Sequence, residues 1–134
     1  KLKKHLGSLK GKTIAALGLA YKAGTDDVRD SQTLRIIFEL LDHGATVRAH
    51  DPEATEAFKR SFSRADEVAF SDSAMDAVTG ADAVLILTEW DEYKNLDLVQ
   101  LKTKMSGNLI VDGRNIIERK SAEAAGFTYE GIGR

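Results

Sequence analysis

Two short runs of uninterrupted apolar residues constrain this chain more than any other feature. Thr13–Leu17 reads Thr-Ile-Ala-Ala-Leu, and Ala83–Leu87 reads Ala-Val-Leu-Ile-Leu. Neither alternates apolar with polar residues, so each needs cover on both faces. That is the condition of an interior strand in a parallel sheet with helices packed above and below it. Thr46–His50, Val68–Phe70, Leu109–Val111 and Phe127–Tyr129 are shorter strand candidates. Between the strands lie helical patterns. The clearest runs from about Ser31 to His43, where Leu34, Ile37, Phe38 and Leu41 form one apolar face, widened by Ile36 and Leu40. Gly44 is placed to end it. Glu53–Ser61, Ser73–Val78, Leu98–Met105 and Ser121–Ala125 follow as shorter helices, with Asp97 as a cap. Strand and helix alternate throughout. The pattern predicts an α/β fold: a doubly wound, mainly parallel, Rossmann-like sheet with helices on both faces, formed as one domain by 134 residues.

In such a sheet, ligands bind beyond the carboxyl ends of the strands. The connection from Gly18 to Ser31 leaves the first strand there and is long, since ordinary strand-to-helix loops run roughly 2–6 residues. It carries Lys22 and Arg29 beside a helix start, a combination suited to an anion. The exits at Gly18, Thr88 and Asp112 share this edge, so topology lets Lys22, Arg29 and Arg114 converge. Each also has a plainer reading. Lys22 reads equally as a solvated lysine, and Arg29, among Asp26, Asp27 and Asp30, as a surface ion pair. Asp112-Gly113-Arg114-Asn115 reads as a turn with an Asp–Arg pair, and Glu89-Trp90 as an aromatic packed over the sheet edge. Gly18 to Gly24 is not a dinucleotide fingerprint, because Ala20 stands where G-x-G-x-x-G requires its second glycine. Asp51 falls where a ribose-binding acid would sit, but Asp51-Pro52 reads better as a turn closing the second strand.

Composition narrows the remaining classes. A net charge of −2 argues against bulk nucleic-acid binding, and no apolar run is long enough to cross a bilayer, so the expectation is a cytosolic protein. There is no cysteine, which excludes disulfides, thiolate metal sites and a cysteine nucleophile within these residues. His5, His43 and His50 are scattered and point to surface or helix-end roles rather than to a metal site. No catalytic constellation emerges.

Five ordered strings carry a resemblance. Gly18-Leu19-Ala20-Tyr21-Lys22 with Thr25-Asp26-Asp27-Val28-Arg29-Asp30-Ser31 comes first. Asp51-Pro52, Thr88-Glu89-Trp90, Asp112-Gly113-Arg114-Asn115, and Gly126-Phe127 with Gly131-Ile132-Gly133-Arg134 follow. Together they resemble the UDP-binding domain of the UDP-glucose/GDP-mannose dehydrogenase family, and most of all its UDP-glucose 6-dehydrogenase branch. The likeness runs from about Leu9 to Arg134. It implies that residues 9–134 are the C-terminal, UDP-sugar-binding domain and residues 1–8 the end of a linking region. By the same resemblance, the parent holds NAD in an N-terminal domain that also carries a catalytic cysteine, dimerises, and oxidises UDP-glucose to UDP-glucuronate. Tyr21, Lys22 and Arg114 match substrate-binding positions, with Lys22 near the diphosphate, and Arg29 matches an arginine that reaches the NAD. Without the NAD domain and the cysteine, the chain alone is expected to be inactive. A free-standing nucleotide-binding module and a structural or interaction domain remain the competing readings.

Overall fold

The computed structural model describes residues 6–19 and 32–131. Six strands form one sheet: β1 (Thr13–Leu17), β2 (Thr46–His50), β3 (Val68–Phe70), β4 (Ala83–Ile86), β5 (Leu109–Asp112) and β6 (Thr128–Gly131). The helices are α1 (Gln32–Asp42), α2 (Thr55–Ser61), α3 (Ala74–Val78), α4 (Asp91–Lys94), α5 (Leu98–Lys104) and α6 (Arg119–Ala124), with a 3₁₀ turn at Ala65–Glu67. The strand order is β3-β2-β1-β4-β5-β6, and every pairing is parallel. This is the doubly wound arrangement, with its switch point between β1 and β4.

The side-chain alternation along each strand divides the core in two. Ile14 and Ala16 of β1, with Ala83 and Leu85 of β4 and Leu109 and Val111 of β5, face Ile37 and Leu40 of α1 and Phe58 of α2. Ala15 and Leu17, with Val84, Ile86 and Ile110, face Ala77 and Val78 of α3, Leu101 of α5 and Ala122 of α6. Both faces are therefore dry, which is why β4 is apolar at every position and β1 at every position after Thr13. Both runs expected to be interior, β1 and β4, are interior, flanked by β2 and β5.

Boundaries moved where pairing or capping decided them. The last strand begins at Thr128 rather than Phe127, because Thr128 N–H donates to Asn108 O (2.8 Å), and it runs on to Gly131. Asp97 does cap α5, its carboxylate accepting from Gln100 N–H at 3.1 Å, and Ser73 caps α3 in the same way. Helix α4 had no counterpart among the predicted elements. Among the described residues, no helix is long and apolar enough to cross a membrane.

Candidate functional site

All six strands run the same way, so β1, β2, β4 and β5 deliver their exits to one edge. Beyond the strand ends the backbone ladder continues: Gly18 N–H donates to His50 O, Leu87 N–H to Leu17 O and Gly113 N–H to Ile86 O, at 2.8–2.9 Å. The edge is thus a rigid platform. Gly18 adopts φ +106°, and a Cβ built on it would lie 2.5 Å from Thr88 Cβ. Only glycine lets the β1 and β4 exits approach this closely.

Two buried aspartates bracket that central pair. Asp51, just past β2, is 5% exposed and accepts four hydrogen bonds from described residues. Its Oδ1 takes Glu53 N–H and Ala54 N–H at 2.8 and 2.7 Å, which holds the turn before α2 and starts that helix at Thr55 rather than Glu53. Its Oδ2 takes Leu19 N–H at 2.7 Å and the Trp90 indole N–H at 3.1 Å. One carboxylate therefore ties together the exits of β1, β2 and β4. Asp112, fully buried at the end of β5, has the same design. Its Oδ1 accepts from Arg114 N–H (3.1 Å), and its Oδ2 from Ile117 N–H (2.7 Å) and the Tyr129 hydroxyl (2.8 Å).

Arg114 lies on this edge, exposed, in the turn that Asp112 closes. The expected Asp112–Arg114 pair exists through the Arg114 backbone. The side chain instead sends Nε–H to Leu87 O at 2.9 Å, so its guanidinium is anchored where β4 ends. Tyr21, Lys22 and Arg29 lie outside the described residues, as do Asp26 and Asp27.

His50 departs from the expected surface role. It is 4% exposed, and its Nδ1 lies 2.9 Å from the hydroxyl of Tyr93 in α4. That hydroxyl donates to His50 O at 2.9 Å, so it accepts from Nδ1–H. This places the neutral ring's proton on Nδ1 and leaves Nε2 facing Glu92 Oε2 at 3.7 Å. Burial lowers the His50 pKa, and the carboxylates of Glu92, Asp51 and Asp72 only partly offset it. Burial also pushes the Tyr93 phenol far above its ordinary range. His43 does sit at a helix end, exposed, with Nδ1 at 2.8 Å from Glu39 O.

Among the described residues, the switch point between β1 and β4 offers no cradle for a dinucleotide. The room that Gly18 leaves is taken by Thr88, and each Asp51 oxygen already has two protein donors where a ribose would need a vacant acceptor. What the edge offers is a fixed arginine beside a rigid turn, suited to the oxygens of a phosphate or a sugar. Asp51 and Asp112 escaped notice as organisers of the site. The available signal was an aspartate ending an apolar strand just before Pro or Gly, where a carboxylate accepts from the next turn's N–H groups.

Residues 15–119 match the family model described as the UDP-binding domain of the UDP-glucose/GDP-mannose dehydrogenase family. The chain belongs to that family. It is 42% identical over 125 residues to the UDP-glucose 6-dehydrogenase of Rickettsia bellii, covering 93% of this chain and 29% of that protein. Against UDP-glucose 6-dehydrogenase TuaD of Bacillus subtilis, identity is 42% over 134 residues, again 29% of the relative. A solved UDP-glucose dehydrogenase from the archaeon Pyrobaculum islandicum superposes with a TM-score of 0.80 at 35% identity, over 97% of this chain and 27% of that one. The chain thus spans about 29% of the length of the curated relatives it matches. In this chain the Asp51, Thr88-Glu89-Trp90 and Asp112–Asn115 strings are the strand exits on the carboxyl edge.

Proposed function

We propose that the chain works as the C-terminal, UDP-sugar-binding domain of an NAD-dependent UDP-glucose 6-dehydrogenase. In this reading residues 9–134 form the domain and residues 1–8 end a linking region. The observation that carries it is the anchored Arg114 on the carboxyl edge, in a chain about 40% identical to proteins named UDP-glucose 6-dehydrogenase. Arg114, with Tyr21 and Lys22, takes the nucleotide sugar. A planar guanidinium suits hydroxyl and phosphate oxygens, and a lysine suits the diphosphate as a point charge.

NAD is assigned to another domain, because the described residues at the switch point offer it no cradle. Arg29 is assigned to reach across to that NAD, which supplies the hydride acceptor for oxidation of the sugar C6 alcohol. The chain's own part is to bind and orient the UDP-glucose and to exclude water as the domains close. The working enzyme is proposed to be a cytoplasmic homodimer.

The test joins the chain to the N-terminal portion that its relatives carry and measures UDP-glucose-dependent NADH formation. Turnover is expected from the joined polypeptide and none from the 134 residues alone. A joined, folded protein that forms no NADH with UDP-glucose would refute the reading.

A further inference from the structure

We infer that Asp112 and Tyr129 are positioning residues for Arg114, acting from beneath the turn that carries it. The inference rests on the reading of Arg114 as a nucleotide-sugar ligand. Three observations support it.

The turn from Gly113 to Ile117 is closed on one carboxylate, with Asp112 Oδ1 holding Arg114 N–H and Oδ2 holding Ile117 N–H. The carboxylate is itself oriented from behind. Tyr129 pairs with Ile110 in the β5–β6 register, and its hydroxyl reaches two residues further along to donate to Asp112 Oδ2 at 2.8 Å. Tyr129 is in turn braced, 3% exposed, with the Arg119 guanidinium 5.0 Å from its ring centroid and Arg119 Nη1 donating to its carbonyl at 3.1 Å. Finally, the turn has little slack. A Cβ on Gly113 would meet Ile86 O at 2.8 Å, and Asn115 sits at φ 55°, a conformation that asparagine tolerates better than most residues. Arg114 Nε–H then reaches Leu87 O in one geometry.

The contacts run in series from Arg119 through Tyr129 and Asp112 to the Arg114 N–H. Removing the Tyr129 hydroxyl leaves the core volume in place but takes away one of the three donors that hold the Asp112 carboxylate. It frees Asp112 to rotate, so the first group to lose its set position is the Arg114 side chain.

Tyr129→Phe and Asp112→Asn test this in the 134-residue chain by NMR, with Ile110→Val as a core truncation on the same strand that leaves the donor chain intact. Hydrogen exchange of the Arg114 Nε–H is expected to speed up about tenfold or more in both variants and to stay near wild type in Ile110→Val. In UDP titrations of the joined enzyme the same two variants should weaken binding several-fold. Adding Arg114→Lys to Tyr129→Phe should cost less than the two single losses combined. An Arg114 Nε–H as protected in Tyr129→Phe and Asp112→Asn as in wild type overturns the inference, whatever the variants' stability. If Nε–H protection falls but the joined enzyme, wild type and Arg114→Lys alike, does not respond to UDP, the positioning role stands and the nucleotide-sugar reading fails.

Discussion

Protonating His50 puts a charge on a ring that is 4% exposed. Its ordinary pKa of 6.5 is lowered in the folded chain, first by burial and against the pull of Glu92, Asp51 and Asp72. The unfolded chain therefore binds a proton that the folded chain refuses. Stability from this group is complete above pH 6.5 and is lost as pH falls through the folded-state value. The unfolding midpoint should fall on acidification below pH 6.5, and His50→Gln, which cannot titrate, should flatten that limb. Denaturant melts of both proteins across this range check it. An unchanged acid limb in His50→Gln would assign the loss to other groups. The same ring explains why this residue was misread in the sequence. Its partner Tyr93 lies 43 residues away on α4, a helix of four residues too short to show a period.

At the scale of elements, what was legible and what was not divides along a physical line. β1 and β4 declare themselves because a fully apolar run has no place except between two helical layers. α1 declares itself through the spacing of Leu34, Ile37 and Leu41. Both signals are local. The edge that joins these elements is built by contacts between distant residues, and no window of sequence contains them. Asp51 meets Leu19 and Trp90 across 32 and 39 positions, and Asp112 meets Tyr129 across 17. Gly18 shows the same division. As a loop glycine after a strand it looks replaceable, yet it is the contact between the β1 and β4 exits. In Gly18→Ala, a methyl group would overlap Thr88 at a φ of +106°. Left-handed strain and overpacking together should cost roughly 2–5 kcal/mol. Urea unfolding should show a lower midpoint at unchanged slope. Near-wild-type stability would mean that the two exits separate easily.

For the whole molecule, the question is what a domain with one prepared edge contributes to a two-substrate reaction. Among the described residues, Thr88 and the four donors on Asp51 fill its switch point. Its anchored cation, Arg114, stands on the same edge, and the sequence beyond Leu19 carries Lys22 and Arg29. Such a domain makes one wall of a cleft, and the two arginines should then divide the labour. Arg114→Ala in the joined enzyme removes a charge-assisted contact to the nucleotide sugar, worth roughly 1.5–3 kcal/mol for a hydrogen bond to a charged group. It should raise KM for UDP-glucose about tenfold or more and leave KM for NAD near its wild-type value, because a contact kept equally in ground and transition states acts on KM alone. Arg29→Ala should do the reverse, raising KM for NAD with little change in KM for UDP-glucose. Steady-state kinetics with each substrate varied in turn separates the two. Equal effects of both variants on both substrates would mean that the arginines secure closure of the domains together, and the division of roles between them would have to be abandoned.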